Sequence, residues 1–493
     1  MTTLLLCFLS SLLTIISFPK SSLWFMGWVC LAPYLYATHS KKPITAFLYG
    51  ILTGLVAYCG ILYWVIPTFI VAGEHPVFGV LALILLSAYL SLYIGIFGFF
   101  NSASKGKTIF LLPFLWVALE YLRTHLFTGF PWAILGYSQW NNLPVIQISE
   151  YTSVYGVSFL LISANIALAK FLSIKGFRKF SGTELFFFLT CAISIVFSIG
   201  FGYLKLRDNP SEKSYAEVSV LQGNIDQYKK WDSEYEIDIM QKYGSLAYEA
   251  SKDHPSLIVW PETAVPGYLV NDLGLYNYTL DIIKKSGTHH LIGSVSMKKG
   301  KNFNSAFLVS DSGEIYDAYS KRHLVPFGEY VPLRKFLGRF IKSINKIGET
   351  SRGKKSGIMR SPAGLIGVNI CFESIFPNEI RRFSDAEFII NITNDAWYLK
   401  TSAPYQHFAM NIFRAVENRR DLVRSANTGI SGFISASGRI RNKTEIFTDA
   451  VLTDKVLLRK DKTFYSQYGD VFAQISFFIS IIWIFSFIFT KKA

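Results

Sequence analysis

Cysteine is scarce in this chain: there are five among 493 residues, Cys7, Cys30, Cys59, Cys191 and Cys371. The first four lie in long apolar runs, which excludes a disulfide framework. Cys371 is the only cysteine between residues 205 and 470. Structural cysteines in an oxidising compartment come in pairs, so a lone thiol there reads as a reactive group. The competing reading is a small buried hydrophobe. Charge is thin as well, at 17% of residues, and acidic residues are the scarcer kind, with 34 Asp and Glu against 49 Lys and Arg. A formal charge of +15 invites a nucleic-acid partner. Part of the excess flanks apolar runs, however, where basic residues set membrane topology, and no nucleic acid is expected. Residues 1–18 contain no Lys or Arg, and Pro19-Lys20 is a poor cleavage site. The first apolar run therefore reads as an uncleaved span rather than a signal peptide. No His/Cys spacing suggests a metal, and no cofactor is expected.

What the chain has in abundance is apolar sequence, 51% of residues, unevenly placed. Stretches near 18–20 apolar residues can cross a bilayer core of about 30 Å. Eight spans are expected, at roughly 3–18, 22–38, 45–66, 76–99, 109–123, 154–173, 184–203 and 472–489. This gives a seven-helix membrane bundle over 1–204, an extramembrane domain over 205–470 and a C-terminal membrane helix over 471–493. Lys41, Lys42, Lys105, Lys107, Lys175, Arg178, Lys179, Lys491 and Lys492 fall in alternate connections, while 67–75 and 124–153 contain no Lys or Arg. Positive loops stay cytoplasmic. Both termini are then inside and 205–470 lies outside; Lys20 is the one exception. Glu120 and Arg123, ending the short fifth span, read as a pair near the interface.

The 205–470 region alternates β-rich runs (217–224, 256–260, 289–297, 364–370, 387–392) with helical stretches at 232–251 and 403–420. That alternation argues for an α/β layered domain. Reactive side chains follow the strand ends: Glu262 after LIVW, Lys321 after a strand around 314–319, and Cys371 after GLIGVNI. Strand ends are where distant parts of a chain converge on a cleft. The three types fit one chemistry. A thiol with an ordinary pKa near ~8.5 needs a base such as Glu262, and Lys321 offers a cation where charge develops on an attacked carbonyl. From the residues alone a Cys–His site stays open, with His323 or His407 as base. His323, two residues from Lys321, would share its face on a strand.

The motifs are more specific. WPETAVPG at 260–267, SKRHLVPFGEYVPL at 320–333 and NICFES at 369–374 resemble the Glu, Lys and Cys motifs of the nitrilase superfamily. HLVPFGEYVP is similar to its membrane branch, the apolipoprotein N-acyltransferases, as are QGNIDQYKKW (222–231), NITNDAWY (391–398) and, in the membrane half, GFPWAILGYSQW (129–140). The resemblance implies an αββα sandwich for 205–470. It also implies an enzyme that takes an acyl chain from a phospholipid, holds it as a cysteine thioester, and passes it to the α-amino group of a diacylglyceryl-modified N-terminal cysteine of an apolipoprotein. The setting would be the bacterial inner membrane, with the catalytic domain periplasmic. Carried over, Glu262 is base, Lys321 oxyanion stabiliser and Cys371 nucleophile. Glu329 is a supporting carboxylate, and Glu373 and Trp231 are further positions the family needs. Phe372 departs from the Tyr common there and lacks its hydroxyl.

Plainer readings stand beside these. Trp231 fits a core aromatic, Glu373 a buried paired carboxylate, and Asn394 and Asp395 fit turn formers. A membrane-anchored amidase with the same three residues, and a catalytically dead lipoprotein carrier, are the rival functions. Nothing in the sequence calls for an oligomer, and a monomer is the working expectation. Finally, 333–348 places Leu337, Phe340, Ile341, Ile344 and Ile347 opposite Lys335, Arg339, Lys342 and Lys346 at helical spacing. Such a basic amphipathic helix fits a lipid surface and an arm gating lipid entry, or a helix packed on the domain. The segment 351–357 is expected to be a mobile loop beside it.

Overall fold

The computed structural model describes residues 1–104, 108–173, 180–207, 214–332, 334 and 349–490. The chain forms two compact units: Met1–Phe69 with His75–Asn209 and Thr463–Ala493, and Ile70–Glu74 with Pro210–Lys462.

In the first unit five helices are apolar and long enough to cross a membrane: Pro43–Ile61, Pro76–Ala103, Ser149–Ser173, Gly182–Arg207 and Val471–Phe489. They fall on the expected third, fourth, sixth, seventh and eighth spans. Small residues let Pro43–Ile61 and Pro76–Ala103 approach closely: a Cβ on Gly50 would lie 2.8 Å from the Cα of Gly95. The other three expected spans differ in form. The first is a 16-residue helix, Thr2–Ser17. The fifth is a 3-10 turn, Ile109–Leu111, running into Leu112–His125.

The second is broken into a 3-10 turn, Trp24–Trp28, and a short helix, Ala32–Thr38. Pro33 opens that helix, a place where proline's missing N–H costs nothing. The break frees backbone groups that lipid cannot satisfy, and buried amides from elsewhere take them up. Asn165 Oδ1 accepts from the N–H groups of Leu31 (2.7 Å) and Ala32 (3.0 Å), and its Nδ2 donates to Gly27 O (3.0 Å). Gln139 Nε2 donates to Trp24 O at 2.7 Å, while Trp28 Nε1 donates to Gln139 Oε1 at 3.0 Å. Glu120 and Arg123, expected to pair, also serve irregular backbone and a neighbouring helix. Both are buried in this unit. Arg123 donates to the Tyr58 hydroxyl at 2.9 Å, and Glu120 accepts the Leu135 N–H at 2.8 Å. The irregular GFPWAILGYSQW segment thus has one of its backbone N–H groups held by a buried carboxylate.

The second unit is built on two six-stranded sheets. Its strands are β1 (Tyr215–Gln222), β2 (Leu257–Val259), β3 (His290–Lys298), β4 (Lys301–Val309), β5 (Ile315–Ser320), β6 (Ile358–Ser361), β7 (Gly364–Ile370), β8 (Phe388–Thr393), β9 (Leu422–Ala426), β10 (Gly432–Ile434), β11 (Ile440–Lys443) and β12 (Ala450–Leu457). One sheet has the order β12-β1-β2-β3-β4-β5 and the other β11-β10-β9-β8-β7-β6. Each has a parallel centre, β1-β2-β3 and β7-β8-β9, flanked by antiparallel strands. The expected runs at 217–224, 256–260, 289–297, 364–370 and 387–392 are β1, β2, β3, β7 and β8 within two residues. The strands not expected from the sequence are β4, β6 and β9 to β12, which are short or carry polar residues that interrupt the apolar pattern.

The parallel strands are buried on both faces, which explains runs such as LIVW and FIINI. Helices Glu236–Ser251 and Leu273–Ser286 pack Met240, Tyr243, Ala247, Ile282 and Ile283 onto Ile258, Trp260, Ile292 and Phe307 of the first sheet. Helix Ala403–Asn418 lies against β9. Between the sheets Ser425 Oγ on β9 donates to Leu221 O (2.9 Å) and Val259 O (3.2 Å). The run 333–348 lies, but for Arg334, outside the described residues. Segment 351–357, expected to be mobile, is tied down. Ser351 N–H donates to Asn302 O (2.7 Å) and Gly353 N–H to Lys321 O (2.8 Å), and Lys355 pairs with Asp317. Only glycine fits at 353, since a Cβ there would meet Ser320 O at 1.9 Å.

Candidate active site

The ends of several strands meet in the second unit. Glu262 stands three residues past β2, Lys321 directly after β5, Cys371 directly after β7 and Asn394 directly after β8. The Glu262 loop crosses β3 so closely that a Cβ on Gly293 would lie 2.1 Å from Pro261 O. Asn394 N–H donates to Glu262 Oε2 at 2.8 Å, and Asn304 Nδ2 on β4 donates to Oε1 at 2.7 Å. Lys321 Nζ lies 3.4 Å from Glu262 Oε1 and 3.0 Å from Glu329 Oε2. Glu329 also takes the Val325 N–H (2.9 Å) and the other hydrogen of Asn304 Nδ2 (3.1 Å). One ammonium and one amide therefore bridge a buried carboxylate and a half-buried one, which could not otherwise easily sit side by side.

Lys321 is 1% exposed. Burial would discharge it, but Glu329 and Glu262 outweigh that and hold its pKa well above the usual lysine value. It stays a cation. For Cys371 the balance is opposite. Burial first, then the Glu262 charge, push its thiol well above the ordinary value, while Lys321 pulls the other way. At rest the sulfur is held as a thiol, more firmly than the ordinary value expected from sequence would hold it. Cys371 also has φ +53°, a left-handed backbone that non-glycine residues adopt at a cost.

The remaining expected residues divide. Glu373 holds the site together from behind. Its Oε1 accepts from Tyr319 Oη (2.8 Å) and the N–H groups of Arg322 (2.7 Å) and His323 (3.1 Å), and its Oε2 accepts the Ile370 N–H (2.8 Å). It thereby bolts the Lys321 segment to the Cys371 strand, so the paired-carboxylate reading describes its contacts. Phe372 packs edge-on against Phe376. Trp231 is 52% exposed, not the core aromatic the plainer reading has it as.

The two candidate histidines are engaged elsewhere than a general base would be. His323 follows β5 rather than lying on it, and its ring stacks on Phe376 with centroids 3.8 Å apart. His407 meets the Cys371 carbonyl at 3.3 Å, and its other nitrogen lies 2.9 Å from Asp395 Oδ1. Burial, then Arg424, hold its pKa below the histidine norm. Burial opposes ionisation of Asp395, but Arg424 and His407 more than offset it and keep its pKa low.

Two residues near the site escaped sequence reasoning. Asn304 sits within a polar-interrupted strand. Lys230, 1% exposed, donates to Glu262 O at 3.1 Å. Burial lowers its pKa to about 7, with Glu262 resisting. Its one signal is its place beside Trp231 in QGNIDQYKKW. Among the described residues no group of three or more His, Cys, Asp or Glu is placed to hold a metal.

Paired sheets with parallel centres, and a strained cysteine beside a carboxylate and a lysine at their strand ends, define a carbon–nitrogen hydrolase domain. Residues 217–458 match the model of that family, described as carbon-nitrogen hydrolase. Residues 10–167 match a second, described as apolipoprotein N-acyltransferase N-terminal domain. The chain belongs to the apolipoprotein N-acyltransferase family. It is 40% identical over 482 residues to the apolipoprotein N-acyltransferase of Geobacter metallireducens, covering 95% of this chain and 92% of that protein. It is 32% identical to the one of Nitrosomonas europaea over 88% of each chain. With the one of Haemophilus influenzae it shares 29% over 95% of this chain and 92% of the other.

Proposed function

We propose that this chain is an integral membrane acyltransferase that moves a fatty acyl group from a phospholipid to the α-amino group of a diacylglyceryl-cysteine at the N-terminus of apolipoproteins. The observation that carries this is the lone domain thiol, Cys371, held on a strained turn under the opposing charges of Glu262 and Lys321. In the first half-reaction Cys371 Sγ attacks the ester carbonyl. Glu262 takes the thiol proton and returns it to the departing glycerol oxygen, releasing lysophospholipid and leaving a thioester. Lys321 faces the charge that develops on the carbonyl oxygen. In the second, the neutral amine attacks the thioester, Glu262 accepts its proton, and the thiol is restored. Glu329 and Asn304 keep Lys321 and Glu262 in place throughout. An acyl donor that lives in a bilayer accounts for an enzyme half made of apolar helices.

The basic connections, Lys41 and Lys42 through Lys491 and Lys492, support an orientation with both termini cytoplasmic and the Cys371 domain periplasmic in a bacterial inner membrane. A membrane-impermeant thiol reagent applied to spheroplasts should label a cysteine introduced at exposed Tyr248. Labelling only after lysis would reverse the topology. For the chemistry, the purified full chain is incubated with phospholipid and a diacylglyceryl-cysteine peptide. The N-acylated peptide should appear, and Glu262→Gln should slow it by roughly 10²- to 10⁴-fold. Ammonia release from a simple amide without acyl transfer would replace this reading with amide hydrolysis.

A further inference from the structure

Behind Cys371 lies a second set of reactive side chains that the transfer chemistry does not use. Ser374 Oγ is 3.0 Å from His407 Nε2, His407 Nδ1 is 2.9 Å from Asp395 Oδ1, and Arg424 donates to Asp395 Oδ2 at 2.8 Å. The sequence Ser–His–Asp suggests a hydrolase triad, but all four side chains are buried to 0% and no substrate reaches Ser374. Its hydroxyl instead donates to the Cys371 carbonyl at 3.1 Å. With that hydrogen committed, Nε2–H of His407 is the donor that both Ser374 Oγ and Cys371 O accept, the latter at 3.3 Å. Asn391 Nδ2 reaches the same carbonyl at 3.4 Å. Three side chains thus converge on one backbone oxygen, in the residue whose φ of +53° most needs holding.

A peptide group is planar, with its C=O and N–H pointing opposite ways. Fixing the Cys371 carbonyl therefore fixes the direction of the Phe372 N–H. The amide that follows a nucleophile on a strained turn is well placed to meet the oxygen of an attacked carbonyl. We infer that His407, with Ser374 and Asp395, is a positioning residue. It locks the Cys371–Phe372 peptide so that the Phe372 N–H joins Lys321 at the oxyanion formed on the ester and again on the thioester. Arg424, itself anchored on Asp395 Oδ2 (2.8 Å), donates to Nδ1 of the Nε2–H tautomer of His407 at 3.1 Å and keeps the imidazole from rotating away. The inference rests on Cys371 being the acylated nucleophile, and deepens that reading.

The test separates reactions that build an oxyanion from one that does not. Thioester formation from phospholipid builds one; alkylation of Cys371 by iodoacetamide displaces iodide from a tetrahedral carbon and builds none. Each rate is measured on the full chain for native protein, His407→Gln and Ser374→Ala. Because losing one oxyanion donor costs about 10²- to 10³-fold, His407→Gln should slow acyl loading at saturating phospholipid by about 10²-fold. Alkylation should change by less than about 3-fold. Ser374→Ala, which leaves His407 on the carbonyl, should give the same pattern at about 10-fold, and it carries the test should His407→Gln not fold. A parallel fall of loading and alkylation would mean general disturbance of the site and overturn the inference. So would normal loading in both variants. If native protein forms no thioester at all, it is the nucleophile reading that fails, which the native control shows separately.

Discussion

Asn165 in the membrane unit and Asn304 in the catalytic unit are both buried asparagines, and their amides do opposite kinds of work. Asn165 serves backbone: it satisfies the N–H and C=O groups freed where the second apolar run breaks. Asn304 serves charge, donating to Glu262 and Glu329 from one nitrogen. Surroundings decide the difference. In a lipid-facing unit the scarce commodity is a partner for irregular backbone. In a sheet whose ladders already pair the backbone, buried polar side chains are free to organise a site. Asn165 in an apolar helix thus answers a break elsewhere in the chain, whereas Asn304 in a catalytic strand serves the chemistry.

That contrast can be tested by removing each in turn. The largest effect is expected from Asn165→Leu. It orphans three nonlocal backbone groups at about 1–3 kcal/mol each, and the detergent-extracted protein should lose most of its folded fraction in a thermal scan. A midpoint within a degree or two of native would show that the break is held by something else. Asn304→Ala should leave the fold standing and lower kcat for acyl transfer by roughly 10- to 100-fold, the worth of a hydrogen bond to a charged group, with KM little changed. If KM rises instead while kcat holds, the amide contacts substrate rather than ordering the carboxylates.

Lys230 gives the smallest effect and the sharpest sign. Its folded pKa of about 7 lies below the ordinary lysine value of 10.5. Between these values the unfolded chain binds the extra proton, so this group makes stability rise with pH across that window. Lys230→Met should abolish that part of the rise, visible as a smaller gain in unfolding midpoint from pH 7 to pH 10 than the native protein shows. Superimposable pH profiles would mean that Lys230 carries its ordinary charge.

How much of this was legible in the sequence follows the same division. Apolar strands announced where Glu262 and Cys371 stand, because a buried strand leaves a plain signature and a reactive residue after it is conspicuous; Lys321 follows β5, a partly exposed strand with a fainter signature. Helical spans were legible where the run was also a helix. At 22–38 hydropathy could not distinguish a span from a broken segment, since both are apolar and the satisfying groups, Asn165 and Gln139, are more than a hundred residues away. Glu120 and Arg123 were placed at an interface for the same reason. Their partners Leu135 and Tyr58 are long-range or irregular. In the site, Asn304 was missed outright, and for Asn394 and His407, which the sequence did single out, the contacts were unreadable, because their importance lies in which atom they face. The thiol's raised pKa was also beyond reach: it depends on burial and on Glu262, and sequence supplied only the second.

The central claim is most directly tested by the intact mass of the full chain after incubation with phospholipid alone, native beside Cys371→Ala. The account predicts that native protein gains the mass of one acyl chain, lost on treatment with hydroxylamine, while Cys371→Ala gains nothing. An acyl adduct of equal yield on Cys371→Ala, or acyl transfer to acceptor peptide by that variant at the native rate, would contradict it.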